Sequence, residues 1–320
     1  MRVAICITTF RRTNLLKRAL EGVSRLKFSK VEAPEMDVIV IDNDSSLSAS
    51  DVCESAEPPR KVRYVAEPRR GIVQVRNRAI AEASGCEFVA FLDDDEVPCE
   101  LWLDELLATQ TKFSADIVSG STRPIFEEVP PEWIKRGNFF ERPQHDTGTS
   151  LETCASGNVL IRTKVFPCVG KFDENFQFTG GEDTQFFLRA RRAGYKIIWS
   201  NEAIAWEMVP RDRATLNWIL RRGYQSGNSW SLAEMSIETN VRCRALRLLK
   251  GSIHVLAGLA GAMTGLFLGR IAFTRNLRRA FLGAGMLAGL AGKKYLAYQY
   301  AETNPFVARQ TSAGVRPFDP

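Results

Sequence analysis

A chain of 320 residues, 45% of them hydrophobic and 25% charged, can bury a full core, which excludes a mainly disordered protein. Its seven cysteines are odd in number and never spaced as CxxC, so they indicate neither a disulfide framework nor a zinc knuckle and favour a reducing compartment. The apolar run at 3–7 is too short for a signal peptide and is followed by two arginines, so the start of the chain is expected in the cytoplasm.

Apolar runs alternate with helical patterns over the first hundred residues. Continuous buried strands are predicted at 3–8, 38–41, 62–65 and 88–92, and helices at about 15–23 and 72–83. This alternation is typical of a doubly wound parallel sheet, which collects its ligands at the carboxyl ends of the strands.

The pattern loosens after residue 115. Short strands are predicted at 117–119 and 159–161, a loop at 124–143, a helix at 184–193 and a last inner strand at 195–199.

Three consecutive aspartates, Asp93, Asp94 and Asp95, follow the fourth apolar run. A strand there would deliver clustered carboxylates to a sheet edge, where their repulsion is costly unless a cation neutralises it. The pattern therefore favours a divalent metal that holds two phosphates, and the alternative is a solvated acidic turn.

Six motifs occur in the order seen in one enzyme family. They are ITTFRR at 7–12, VIDNDS at 40–45, RG at 70–71 with RN at 76–77, DDD at 93–95, SGN at 156–158 and GED at 181–183. On these motifs the chain resembles the family-two inverting glycosyltransferases of GT-A fold, particularly bacterial exopolysaccharide enzymes of the succinoglycan type. The resemblance covers about residues 1–225 and implies an α/β fold with a doubly wound, mixed, mainly parallel sheet.

The resemblance also assigns a donor site for a UDP-sugar. Asp42 would contact the nucleotide base, Thr8 and Arg11 would border its pocket, and Asp93 would lie by the ribose. Arg76 would belong to the same site. Asp95 would ligate Mn²⁺ or Mg²⁺. The sequence departs from the commoner Asp-Asp-Gly-Ser form of the second motif, having Asn43 and Asp44 after Asp42.

The acidic pair Glu182 and Asp183 opens a predicted helix, where acidic residues are also common as caps. By the resemblance Asp183 is the general base that deprotonates the acceptor hydroxyl, and Glu182 binds the acceptor or orients the loop.

Further residues carry two interpretations each. Glu207 stands where many relatives place a metal- or phosphate-binding histidine, and it is either a ligand or a surface residue. Arg221 and Arg222 resemble the basic segment that stabilises a departing diphosphate, or they form a solvated helix face. Trp218 either stacks on the acceptor sugar or belongs to the core.

The end of the chain is basic and apolar. Residues 1–206 carry 27 Lys and Arg against 31 Asp and Glu, whereas residues 207–320 carry 16 against 6. Such a tail can bind nucleic acid or an anionic bilayer, and its hydrophobicity favours the bilayer, so no nucleic-acid partner is expected.

Two apolar segments lie in this tail. Residues 251–269 have no formal charge and would span about 28 Å as a helix, while 280–292 is too short to cross a bilayer. Glycines recur on one face of each, which allows close helix packing. A basic helical hairpin in or on the cytoplasmic leaflet is favoured over a full span and over a buried pair of soluble helices.

Together these patterns predict a glycosyltransferase domain at 1–225, with a nucleotide-binding half at 1–115 and an acceptor half at 116–225. A helical membrane-associated region at 226–300 and a tail at 301–320 would follow. The predicted reaction moves a sugar from a UDP-sugar to a hydroxyl of a lipid-linked saccharide, for cell-surface polysaccharide, at the cytoplasmic face of the plasma membrane. The alternatives are a transferase that loads polyprenyl phosphate directly and a sugar-nucleotide-binding protein without turnover.

Overall fold

Eight strands form one sheet in the computed structural model, which describes residues 1–56, 62–238 and 240–297. In chain order they are β1 (Arg2–Thr9), β2 (Glu35–Asp42), β3 (Val62–Ala66), β4 (Phe88–Asp93), β5 (Glu96–Pro98), β6 (Ile117–Phe126), β7 (Val159–Arg162) and β8 (Ile197–Val209). The spatial order is β3-β2-β1-β4-β7-β6-β8-β5. The first four strands in this order are parallel, and β7 runs antiparallel to both β4 and β6. The predicted mixed, mainly parallel sheet is confirmed.

Helices cover both faces of the sheet. They are α1 (Thr13–Ser24), α2 (Ser50–Glu54), α3 (Ile72–Glu82), α4 (Trp102–Phe113), α5 (Glu132–Gly137), α6 (Val165–Val169) and α7 (Glu182–Arg192). Leu16 of α1 and Trp102 of α4 are buried in the core on one face, and Val73 of α3 and Phe186 of α7 in the core on the other. The strands predicted at 3–8, 38–41, 62–65 and 88–92 and the helices that follow them are confirmed.

Two expectations for the second half are wrong. The loop predicted at 124–143 contains the end of β6 and all of α5, and the last inner strand is the 13-residue β8 rather than 195–199. The cause is a long-range pairing. Residues Ser121–Phe126 pair in parallel with Ile204–Val209 after a register shift at Gly120, and this pairing stabilises strand where the local sequence is rich in proline and aromatic residues.

Three long helices complete the described chain, α8 (Leu216–Ile237), α9 (Val241–Leu268) and α10 (Arg270–Leu290). The predicted helical hairpin is present, with its turn at Gly269. Its second helix is longer than the apolar segment 280–292, because the basic stretch 270–279 is helical too. The predicted boundary at 225/226 falls inside α8, and the tail at 301–320 lies outside the described residues.

Close packing of these three helices depends on glycine. A β-carbon at Gly227 of α8 would overlap the carbonyl of Leu282 in α10, and one at Gly258 of α9 would overlap the backbone at Ala280. The glycines of α10 itself, Gly283 and Gly285, face α9 and α8 in the same way. α10 therefore lies between α8 and α9, as the small-residue faces of the tail predicted.

The outer face of α9 is apolar and exposed. Leu256, Met263 and Phe267 are 69%, 69% and 92% exposed. Among the described helices, α9 alone is long and apolar enough to cross a membrane by length and composition, and only 22% of its most apolar window is buried. The buried soluble pair is therefore not the observed arrangement.

Candidate active site

Polar side chains from three neighbouring strands meet at the carboxyl edge of the sheet. β1 lies between β2 and β4, and the register places Thr8 opposite Asp93 and Thr9 opposite Asp42. The Thr9 hydroxyl donates a hydrogen bond of 2.8 Å to Asp94. The predicted convergence of strand ends is therefore observed.

Arginines neutralise the aspartates that follow β4. Arg12 contacts Asp94 Oδ1 at 3.0 Å and Asp95 Oδ2 at 3.2 Å, and Arg213 contacts the same Asp95 oxygen at 3.3 Å. Burial raises the pKa of Asp94 to about 6 despite Arg12. Burial would also raise the pKa of Asp95, but Arg12, Arg213 and Arg142 outweigh it and hold that pKa below its ordinary value. Asp95 is therefore the more acidic of these two carboxyls.

Arg76 joins the strand-end carboxylates to the acidic pair of α7. This side chain is buried on α3; its guanidinium lies 3.6 Å from Asp93 Oδ1 and is paired with Glu182 Oε1. Burial raises the pKa of Glu182 to about 7, although the charge of Arg76 opposes that shift. One guanidinium group thus separates the two acidic clusters.

The backbone before α7 orients the acidic pair. Gly180 and Gly181 both have positive φ, of +73° and +88°, and Gly181 packs against Ser229 of α8. The chain enters the helix through a conformation that favours glycine. Glu182 then turns inward to Arg76, while Asp183 stays partly exposed and accepts a hydrogen bond from the Thr184 N–H.

The Ser-Gly-Asn motif at 156–158 packs against this edge of the sheet. A β-carbon at Gly157 would stand 2.6 Å from Asp93 Oδ2, so only glycine lets the aspartate lie here. Asn158 is buried, accepts from Trp102 Nε1 at 2.7 Å and donates to the carbonyls of Ser121 and Ala203. Asn158 is therefore a packing and hydrogen-bonding residue.

Replacing Asn158 with alanine is expected to lower the free energy of unfolding by about 2–4 kcal/mol, because it leaves buried donors and acceptors unpaired and a cavity beside Trp102. Thermal denaturation followed by intrinsic fluorescence measures the loss. Asn217→Ala, at an exposed position of α8, is the control and should leave the melting temperature unchanged. Equal melting temperatures for the two variants would contradict the buried network.

The loop after β2 has its own charge pair. Asp42 is fully buried, and its oxygens accept from Asp44 N–H, Ala49 N–H and the Tyr64 hydroxyl. Asp44, which departs from the commoner motif, contacts Arg11 at 3.1 Å. Burial would raise its pKa, but hydrogen bonds from Arg11 and neighbouring serines lower the value to about 2. The assignment of Asp42 and Arg11 to the nucleotide stays a prediction.

Glu207 lies on β8 and beside the aspartates. Its carboxylate forms an ion pair with the Arg142 guanidinium at 2.6 Å. It also lies 3.9 Å from the Arg213 guanidinium, which contacts Asp95 as well. Across the sheet it is paired with the fully buried Glu96. Glu207 is therefore partly buried in the same ion-pair network as Asp95, and its role as a ligand stays a prediction.

Three predicted residues lie apart from these contacts. Arg221 and Arg222 are exposed on α8, and the recorded side-chain contact of Arg222 is with Gln225. Trp218 stacks on Phe140 with ring centroids 5.1 Å apart, in a partly buried aromatic cluster. Their roles toward diphosphate and acceptor stay predictions.

The carboxylates fit a metal that is shared with a diphosphate. Within the described residues, no group of three or more His, Cys, Asp or Glu is arranged to hold an ion by itself. Mg²⁺ is usually held by one or two carboxylates and completed by substrate phosphates, and Mn²⁺ accepts the same oxygen ligands. Asp95 is the candidate for such a carboxylate. A bound diphosphate would then replace Asp95 as the partner of Arg12 and Arg213.

Sequence reasoning missed three arginines of the site, Arg12, Arg142 and Arg213. Arg12 stands in the ITTFRR motif, which does not by itself indicate a role for it, and Arg142 and Arg213 come from segments without a strand-end signal. Arg213 reaches Asp95 because β5 pairs with the end of β8 and the Met208 N–H donates to the Asp95 carbonyl at 2.8 Å. The local sequence around Arg213 does not predict that pairing.

Comparison with known proteins gives one family and several relatives. The model of glycosyl transferase family 2 matches residues 4–170. The succinoglycan biosynthesis protein ExoM of Rhizobium meliloti is 31% identical over 310 residues, covering 92% of this chain and 94% of the relative. Glycosyltransferase AglE of Haloferax volcanii is 23% identical over 251 residues, 78% of this chain and 80% of its own length.

Solved structures share the fold. The mannosyltransferase PcManGT from Pyrobaculum calidifontis, in complex with GDP-Man and Mn²⁺, superposes with a TM-score of 0.63 at 17% identity, over 91% of this chain and 88% of its own. TarS 1–349 of S. aureus, in complex with UDP-GlcNAc, gives 0.53 at 14% identity, over 92% and 93%. The predicted GT-A fold is thereby confirmed.

Proposed function

Because the chain belongs to glycosyl transferase family 2, and is thus a glycosyltransferase of polysaccharide synthesis, we propose that it transfers a sugar from UDP to a hydroxyl of a lipid-linked saccharide. The observation that carries this proposal is the position of Arg76 between Asp93 and Glu182. It links Asp93 of the candidate donor site to Glu182, the residue directly before the candidate base Asp183.

The reaction is a single displacement with inversion. Asp183 takes the proton of the acceptor hydroxyl, the acceptor oxygen bonds to the anomeric carbon, and the bond from that carbon to the UDP oxygen breaks with its electron pair going to UDP. Asp183 suits this role because it is partly exposed at the start of α7 and close to the donor edge. A positioned base of this kind contributes typically ~10²–10⁴ in rate.

Arginines prepare the site for the departing diphosphate. Arg12 and Arg213 converge on one oxygen of Asp95, and arginine is also well suited to bind phosphate oxygens. A divalent ion held by Asp95 would neutralise charge on the diphosphate as it leaves. The Mn²⁺ and nucleotide sugars named for the solved relatives support this assignment.

The tail supports the proposed acceptor and location. The exposed apolar face of α9 stands beside eight basic residues of α9 and α10, which favours the cytoplasmic leaflet of the plasma membrane. A catalytic domain held there meets acceptors anchored in the same leaflet. This supports a lipid-linked saccharide over a free one.

UDP with Mn²⁺ is expected to raise the melting temperature of the parent protein, because a ligand that binds the native state stabilises it. In Asp95→Ala, Mn²⁺ should add nothing to the shift that UDP gives alone, since Arg12 and Arg213 remain to attract diphosphate but the metal ligand is lost. Differential scanning fluorimetry with each ligand separately and together measures this.

Asp212→Ala is the matched control, because Asp212 is an exposed carboxylate next to Arg213 in sequence. It should keep the full Mn²⁺ contribution. If Mn²⁺ raises the melting temperature of Asp95→Ala as much as that of the parent, Asp95 is not the metal ligand.

A further inference from the structure

A groove of about 790 Å³ lies between the loop that precedes α7 and the three helices of the tail. Its floor is apolar, with Phe176 from the loop and Leu232 and Met235 from α8. Its volume is in the range of sites for small organic ligands, about 300–1,000 Å³. The groove is separate from the strand-end carboxylates of the active site.

Two cations stand on the wall of this groove. Arg244 of α9 is exposed, and the Lys294 ammonium lies 3.3 Å from the Asn175 carbonyl, so both heads are placed at the opening. One acid, Asp173, also lines the groove, but its carboxylate is engaged with the N–H and side-chain amide of Asn175. An apolar floor under a cationic opening is complementary to an anionic amphiphile.

The groove connects the two regions that such a ligand must reach. Leu248 lines it and is 53% exposed, on the same helix as the apolar outer face of α9. Thr179 also lines it and stands four residues before Asp183 in the chain. Four residues of extended chain span at most ~14 Å, so the candidate base lies within that distance of the groove wall.

We propose that this groove binds the phosphate group and the first isoprenoid units of a polyprenyl-linked acceptor. The inference rests on the proposed function, in which the acceptor is lipid-linked. Arg244 and Lys294 contact the phosphate, the chain lies on Leu232 and Met235 and leaves past Leu248 into the leaflet, and the saccharide extends past Thr179 to Asp183.

Binding of tritiated geranylgeranyl diphosphate to the detergent-solubilised full-length chain tests the proposal. Arg244→Gln with Lys294→Gln should weaken binding at least tenfold. The control pair, Arg242→Gln with Lys293→Gln, removes two exposed cations that are neighbours in sequence but do not line the groove, and should bind as the parent does. Geranylgeraniol and inorganic diphosphate should each compete at least tenfold less well than unlabelled geranylgeranyl diphosphate. Geranylgeraniol lacks the diphosphate, and inorganic diphosphate lacks the isoprenoid chain.

A second variant fills the groove without disturbing buried packing. Ala245 lines it and is exposed, so Ala245→Trp should also lose the lipid at least tenfold while its shift with UDP and Mn²⁺ stays that of the parent. That shift reports folding and the donor site independently. If either variant binds the lipid as tightly as the parent, or if UDP displaces the lipid, the groove is not the site. Groove binding without any sugar transfer would instead contradict the proposed function alone.

Discussion

Replacing Asp183 with asparagine is expected to lower the turnover number for sugar transfer by about 10²–10⁴, the range for a lost general base. Asparagine is nearly isosteric and its side-chain oxygen can still accept from the Thr184 N–H, so the start of α7 should be unchanged. The amide cannot take the hydroxyl proton. Initial rates with a radiolabelled UDP-sugar and membrane-extracted acceptor measure the loss, and the melting shift with UDP and Mn²⁺ should persist.

Glu182→Gln is the matched control on the neighbouring residue. Burial already raises the pKa of Glu182 to about 7, so its neutral form is accessible and a neutral amide is a smaller change. Arg76 keeps its contact with Asp93 in this variant. We expect a loss of less than tenfold in turnover. Parent-like turnover in Asp183→Asn would remove that residue from the mechanism.

The sequence predicts those site residues whose position depends only on the local pattern of strand and helix. Asp93, Asp94 and Asp95 follow a fully apolar run, and such a run forms a buried strand whose end must lie at a sheet edge. The acidic pair Glu182 and Asp183 likewise indicates a helix start in the sequence. Parallel pairing of β1 with β2 and with β4 then places the carboxyl ends of the three strands side by side.

The other half depends on pairings between distant segments. Arg213 contacts both Asp95 and Glu207 because β8 continues for 13 residues, with β6 on one side and β5 on the other. Within 195–209 the apolar pattern weakens after Trp199, so the sequence predicts an early end. Tertiary pairing overrides that local preference. The arginines that hold Asp95 are therefore products of the fold.

The sequence predicts the close packing of the tail helices but not the length of α10. Glycine spacing indicated close contact, and Gly258 and Gly227 make it against α10. The second apolar segment begins at 280, but the arginines at 270–279 belong to the same helix because arginine is a good helix former and α10 packs between α8 and α9. Arg275 also contacts the Gly137 carbonyl, which anchors α10 to α5.

This packing determines how membrane binding should be tested. Removing α9 and α10 would uncover the buried face of α8, where Asn228 donates to the carbonyls of Gly285 and Lys293. A truncation would thus mix loss of the membrane contact with misfolding. Substitutions on the exposed face of α9 avoid this, because those side chains have few contacts within the protein.

Exchanging Leu256, Met263 and Phe267 for glutamine is expected to release the protein from membranes in 1 M salt, while the parent remains bound. Salt screens the basic residues, whereas each large apolar side chain buried in hydrocarbon contributes about 2 kcal/mol that salt leaves in place. Sedimentation of membranes at low and high salt, with immunoblotting, measures the distribution. The control exchanges Leu47, Leu101 and Val129, three apolar side chains exposed elsewhere, and should sediment as the parent does. Recovery of the parent in the supernatant at low salt without detergent would overturn the membrane assignment, because both contributions should then be at full strength.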